Sequence, residues 1–409
     1  MNTQTILQKV HNGERITYEE GLHLYEEAEM LDLAEAANAR RQQLVPGDLV
    51  TYLIDRNINY TNVCVTDCSF CNFYALPGDD AKSYVNSKAV LGQKIEEALS
   101  LGATRILMQG GHHPDLPYEY YTDLVRWIHT TYPAIEINAF SPSEIQHMGF
   151  VSGKSWEEIL GELKALGLAG LPGGGGEILD DEVRQRVSPK KIMSEDWIGV
   201  MKVAHSLGLT TTSTMVIGFR ETLAQRMNHL KRLRDAQDEA QAKYGRLGFN
   251  AFISWTLQIE NTPLGRSRFR DEYGSTPAEY LRHTAISRIF LDNVPHHQAS
   301  WPTMGQKIAQ TALHFGCDDY GSTMIEENVV SAAGAPTATK CAMNVGEMHR
   351  QIRLGGFIPA QRDSSYHILN VYDDPNYQPP VVELPPVQQG FVPVLSLDEI
   401  KIHTQGNSN

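Results

Sequence analysis

Apolar positions recur along this chain with two alternating periods. Near the start Thr17 and Glu20 form a capping box, and Leu22, Tyr25, Ala28 and Leu31 follow at three-residue spacing, which predicts an amphipathic helix. Residues 1–48 read as a helical extension. From Val50 onward short apolar or β-branched runs alternate with longer helical stretches, the pattern of successive βα units around a parallel sheet. Eight runs serve as candidate strands, at residues 53–59, 103–109, 135–140, 165–171, 210–217, 249–255, 296–301 and 315–320. Helices fit between them: one over 90–101 stopped by Gly102, one opened by the capping box of Ser155 and Glu158, and a long charged one from Thr222 to Asp238. Eight such units predict an α/β fold, a closed (β/α)8 TIM-type barrel over residues 49–372. The loops after its strand C-terminal ends then form one functional face.

The tail, residues 373–409, breaks the pattern with six prolines, including Pro379-Pro380 and Pro385-Pro386, and predicts an extended arm or partial disorder. Composition adds an ordinary globular balance, 41% hydrophobic and 21% charged in 409 residues. The net charge of -14 opposes docking on phosphate backbones or anionic lipid, so nucleic acid is not expected as a partner. No run of about 18 apolar residues offers a membrane span, and Met1 to Arg15 lacks the apolar core of a secretory signal. A cytoplasmic protein is the expectation.

Three of the five cysteines fall within eight residues, which does not resemble a dispersed disulfide framework. Cys64, Cys68 and Cys71 form a C-x3-C-x2-C run directly after the first candidate strand. A structural zinc site wants four ligands, and no second C-x2-C or H-x3-H pair completes one. A four-iron cubane can be held by three thiolates with its last iron open to an exogenous ligand. The rival arrangement is a saturated cluster, with Cys317 or Cys341 as fourth ligand, that only stabilises the fold or carries electrons. Other unusual residues also follow strands: Gln109-Gly110-Gly111-His112-His113, Gly173 to Gly176 with Glu177, and Gly218-Phe219-Arg220-Glu221.

With an aromatic, Phe70, before its third cysteine, the motif resembles the radical S-adenosylmethionine superfamily. The surrounding run Asn57 to Asn62, then Asn72-Phe73-Tyr74, resembles the branch that serves menaquinone synthesis by the futalosine route and deazaflavin synthesis. Gln109 to Leu116, Leu291-Asp292-Asn293 with Gln298-Ala299-Ser300-Trp301, and Gly321 to Val329 are similar to the cyclic dehypoxanthine futalosine synthases, over residues 15–370. The resemblance implies a radical S-adenosylmethionine barrel whose Cys64, Cys68 and Cys71 hold a 4Fe-4S cluster. S-adenosyl-L-methionine is the implied second cofactor, and Phe70, Gly110, Gly111 and Glu177 are its implied contacts. A plain tight turn is the alternative for the glycine pair, and a flexible connector for Gly173 to Gly176.

The implied reaction is oxidative ring closure on dehypoxanthine futalosine. An adenosyl radical takes the hydrogen of the ribose 4′ carbon, the carbon radical adds to the benzoate ring, and loss of one electron and one proton restores aromaticity. An external one-electron donor such as flavodoxin or ferredoxin is implied. The proton needs a base, for which His112, His113 and Glu177 are the catalytic candidates. The substrate carboxylate calls for a cation or hydroxyl cluster, with Arg186, Lys190 and Arg220 as candidates. Glu221 is read as a helix cap, and Glu326 and Glu327 as first-turn charges. Within the family the alternatives are an aminofutalosine synthase or a deazaflavin-forming synthase. Outside it, the alternative is a non-enzymatic iron-sulfur or zinc-binding protein.

Overall fold

The computed structural model describes residues 1–335 and 342–380. Its strands are β1 (Leu49–Leu53), β2 (Asp55–Ile58), β3 (Arg105–Met108), β4 (Glu136–Ala139), β5 (Leu168–Leu171), β6 (Thr210–Ile217), β7 (Phe249–Thr256), β8 (His296–Gln298), β9 (Asp319–Ser322), β10 (Ile358–Arg362) and β11 (Ile368–Val371). Neighbours from β2 to β9 are parallel and follow chain order, with helices between, as right-handed βα crossovers require. The sheet curls until its ends meet. Thr323 N donates to Leu53 O at 3.0 Å and Asn57 N to Ile325 O at 2.8 Å, so the stretch after β9 closes on the first strand. The eight-unit barrel is present.

Several boundaries differ from expectation, each for a local reason. The first run is two strands, because β1 pairs with β9 and β10 whereas β2 pairs with β3. The fourth begins only at Leu168, since the capped helix Trp156–Ala165 continues through Ala165. The seventh ends at Gln298 because Trp301 and Pro302 open a helix. Phe315 belongs to a 3-10 turn ended by Gly316 at φ 93°, and β9 starts four residues later. The helix of Leu22 and Tyr25 ends at Glu27, leaving Leu31 exposed on a separate helix, Met30–Leu44.

Three helices occupy residues 1–48, and Tyr25, Leu33 and Ala37 are buried in the main core. The expectation missed β10 and β11, which add beside β1. The turn between them carries Ser364 and Tyr366 into the N-terminal end of the barrel. Tyr366 stacks on His296 at 3.7 Å, Arg362 lies 3.9 Å above the Tyr366 ring, and Arg362 Nε bonds Asp319 Oδ2 at 2.5 Å. Tyr366 holds φ 66°, a conformation that costs a β-carbon residue energy and persists only where packing enforces it. Of the tail, only residues 373–380 are described. Among the described residues no helix is long and apolar enough to cross a membrane.

Candidate active site

A cavity of about 380 Å³ opens at the C-terminal ends of the strands and reaches down the barrel to Arg105 and Tyr366. Cys64, Cys68 and Cys71 all line it, from the loop after β2. That loop is pinned by backbone bonds: Cys64 N to Ala75 O at 3.0 Å, Val65 N to His112 O at 3.2 Å, Ser69 N to Val187 O at 2.9 Å. The Thr66 hydroxyl sits 2.8 Å from Cys64 Sγ and 3.8 Å from Cys68 Sγ. Burial pushes the Cys68 thiol up to about 12 despite nearby Lys191, and it raises Cys71 against the backbone N–H groups of Phe73 and Tyr74. The bare Cys68 and Cys71 thiols are therefore neutral; a coordinated metal takes the proton's place.

The donor set fits a cubane with one open iron. Cys317 precedes β9 and Cys71 follows β2, so in a parallel barrel they lie at opposite ends. Cys317 is fully buried and does not reach the cavity. Cys341 lies outside the described residues. Among those described, no three His, Cys, Asp or Glu side chains converge on a single-ion site.

Gly110 and Gly111 follow β3 and touch the cysteine loop. A β-carbon on Gly111 would fall 2.1 Å from Val63 O and 3.0 Å from Cys64 Cβ, and one on Gly110 would fall 2.5 Å from the Tyr60 ring. Only glycine permits that approach. Glu144 secures it by accepting from Gly110 N at 2.9 Å, Tyr60 Oη at 2.8 Å and Ser141 N at 2.7 Å. Glu144 was missed, although Ser141 and Glu144 form a capping box visible after the third candidate strand.

Gly173 to Gly176 is not a flexible connector. Arg184 ties it down, donating to Gly175 O at 2.9 Å, Gly176 O at 3.0 Å and Ile178 O at 3.1 Å, while Trp197 Nε1 bonds Gly174 O at 3.2 Å. Glu177 follows, at the cavity wall. Its Oε1 meets Lys191 Nζ at 2.6 Å, whereas its buried Oε2 accepts no hydrogen bond among the described residues and stands 3.6 Å from Arg184. An orphaned carboxylate oxygen in a cavity wall calls for a ligand donor. Phe70 lines the same region, 5.6 Å from Lys191 Nζ and edge-on to Phe219 at 5.2 Å.

The two histidines part company. His112 lines the cavity, stacked on His147 at 5.0 Å, and burial with that neighbour holds its imidazole down to about 3. His113 is outside the cavity lining: its Nδ1 accepts from Asp115 N at 3.1 Å and its carbonyl meets His147 Nε2 at 2.9 Å. It packs a turn. The proposed carboxylate cations are likewise elsewhere. Arg186 bonds Phe219 O, Lys190 pairs with Asp67 at 2.7 Å, and Arg220 pairs with Glu272 at 2.7 Å. The lysine that faces the cavity is the next one, Lys191, which alternation alone could not select. Glu221 receives Gly218 N at 2.9 Å and Arg226 at 2.7 Å, leaving Thr222 as the cap. Glu327 accepts from Val329, Val330 and Ser331 N–H groups as a first-turn charge, but Glu326 forms a buried cluster with Arg56 and Lys94.

Residues 58–233 match the profile of the Radical SAM superfamily and residues 246–374 that of the CofH/MqnC C-terminal region. The chain is 46% identical over 374 residues to the cyclic dehypoxanthine futalosine synthase of Halalkalibacterium halodurans, covering 91% of this chain and 97% of that protein. The protein of the same name from Streptomyces coelicolor is 44% identical over 379 residues, with 92% and 91% covered. Among solved structures, methylornithine synthase superposes with a TM-score of 0.65 at 15% identity, over 87% of this chain and 97% of that one, which bears on the fold alone. With relatives this similar along nearly their whole length, the chain belongs to the cyclic dehypoxanthine futalosine synthase family of the radical S-adenosylmethionine superfamily.

Proposed function

We propose that this cavity converts dehypoxanthine futalosine to cyclic dehypoxanthine futalosine, a step of menaquinone synthesis, with Cys64, Cys68 and Cys71 holding the 4Fe-4S cluster. The observation that carries the reading is three cysteines on one loop facing one cavity, with Cys317 stranded at the other end of the barrel. When bound, the cluster and S-adenosylmethionine supply one-electron chemistry strong enough to remove hydrogen from an unactivated carbon.

The chain's own residues do the rest. Gly110 and Gly111 let the backbone come close to the cysteine loop, and Glu177 Oε2, lacking a donor, suits the diol of the adenosyl ribose. Phe70 walls the same end. Of the three base candidates, Glu177 is paired through Oε1 with Lys191 and assigned through Oε2 to the adenosyl ribose, and His113 is outside the cavity lining, so His112 takes the proton that rearomatisation releases. Burial keeps its imidazole in the neutral form that accepts a proton, while also weakening it as a base. The barrel walls keep water and stray hydrogen donors from the reacting carbons.

The electron is supplied from outside by a one-electron donor such as flavodoxin or ferredoxin, in the reducing cytoplasm where such thiols persist. Product analysis tests the reading. Anaerobically reconstituted protein given S-adenosylmethionine, reductant and dehypoxanthine futalosine should release free 5′-deoxyadenosine and a product two hydrogens lighter. Incorporation of the adenosyl group into product when the enol ether of benzoate is offered in place of dehypoxanthine futalosine would instead identify an aminofutalosine synthase.

A further inference from the structure

Two carboxamide oxygens beneath the cysteine loop lack hydrogen-bond partners among the described residues. Asn57 on β2, Leu107 on β3 and Asn138 on β4 are consecutive in register, so they form one row on the inner face of the barrel, and all three line the cavity. Neither Asn57 Oδ1 nor Asn138 Oδ1 has a hydrogen-bond partner among the described residues, although Asn138 is only 1% exposed. Asn59, nearer the mouth, is a useful contrast, bonding Gln109 O at 3.0 Å and Asn328 Nδ2 at 3.1 Å. Beside Asn138 the next strand carries Gly170, where a β-carbon would fall 2.3 Å from Thr210 O and 3.2 Å from Asn138 Nδ2, so the glycine answers first to its strand partner and only then to the carboxamide. Burying an unmatched acceptor is costly, and folded chains seldom do so without a ligand or water in view.

Unmatched acceptors select donors. In dehypoxanthine futalosine the carboxylate and the ketone only accept, and the sugar hydroxyls are its donors. S-adenosylmethionine also carries donors, but its expected contacts lie beyond the strand ends, at the level of Gln109. The row of Leu107 is two residues deeper on the same strand, about 7 Å down the barrel. We propose that Asn57 and Asn138 receive the sugar hydroxyls of the substrate and so fix which sugar C–H faces the cofactor end. Leu107 between them supplies an apolar rest for a C–H edge of the ring. Asn57 and Asn138 stand two strands apart, about 10 Å at the backbone, a width that two short side chains and one five-membered ring fill together. This assignment rests on the function proposed above.

The test uses reconstituted holoenzyme, S-adenosylmethionine, dehypoxanthine futalosine and analogues that each lack one sugar hydroxyl. Asn138→Ala and Asn57→Ala should each raise the KM for the full substrate by about 10- to 100-fold while the affinity for S-adenosylmethionine stays as in the wild type. The penalty the wild type pays for one particular missing hydroxyl should vanish in the matching variant, a coupling that a merely structural asparagine would not show. Penalties that stay additive for every analogue, or a KM within twofold of wild type, overturn the assignment. Should a variant fold poorly, the wild type alone decides: if no deoxy analogue binds more weakly than the full substrate, the assignment falls. A wild-type enzyme that leaves dehypoxanthine futalosine unchanged overturns the functional reading and this assignment with it, whereas turnover with additive penalties overturns this assignment alone.

Discussion

Gly111→Ala should displace the cysteine loop without touching a cysteine. The added β-carbon would fall 2.1 Å from Val63 O and 3.0 Å from Cys64 Cβ, against 3.4 Å for the start of ordinary contact. The two segments must therefore part by about 1.3 Å. Neither can yield cheaply, because Gly111 N is bonded to Thr61 O at 3.0 Å and Cys64 N to Ala75 O at 3.0 Å. Overpacking of this kind costs about 1–3 kcal/mol, and about 1 Å of misplacement at a reacting centre costs about 100-fold in rate. The expected outcome is a lowered iron and sulfide content after anaerobic reconstitution and a kcat reduced by about 100-fold. Gly161→Ala is the control, since nothing lies within 4 Å of its β-carbon position on the helix Trp156–Ala165, and alanine there should hold or raise stability. Iron and sulfide assays, thermal melting and chromatographic measurement of 5′-deoxyadenosine read the result. A Gly111→Ala enzyme with full cluster content and a rate within threefold of wild type would refute the argument that this contact places the loop.

Other outcomes follow from the same geometry. Cys64→Ala, Cys68→Ala and Cys71→Ala should each abolish S-adenosylmethionine cleavage, while Cys317→Ala keeps it; cluster loss on changing Cys317, read by iron content and electron paramagnetic resonance, would contradict the open-iron assignment. His112→Asn should retain 5′-deoxyadenosine release but lose cyclic product, so equal loss of both would move the base elsewhere. For Asp318, burial opposes ionisation, but His296 at 2.6 Å, Arg288 and His297 N–H prevail and hold it at about 2. The folded value lies below the unfolded one, so its stabilisation is present above about pH 4 and is lost as pH falls toward 2, on the order of 2 kcal/mol. Asp318→Asn should flatten urea-melt stability across that acid window, and an unchanged slope would show that the carboxylate contributes nothing there.

The sequence by itself determined the barrel and the cysteine site, because both are local in origin. Alternating strand and helix periods are properties of short windows, and C-x3-C-x2-C puts three thiols within one loop whatever surrounds it. That Gly110, Gly111 and Glu177 line the cavity was legible for the same reason, since each follows a strand end. What needed the tertiary structure was every choice between neighbours and every contact across the sheet. Lys191 rather than Lys190 enters the cavity, and His112 rather than His113, because the path of each loop sets which side chain turns inward. Glu144 matters through Gly110 and Tyr60, which lie 34 and 84 residues away. Asn57 and Asn138 become a pair only once β2, β3 and β4 are in register, and Tyr366 reaches the barrel floor only through β10, which pairs beside β1 some 300 residues earlier in the chain. Strand register and long-range burial decide these pairings, since they depend on which surfaces meet, and no short window of sequence contains both partners.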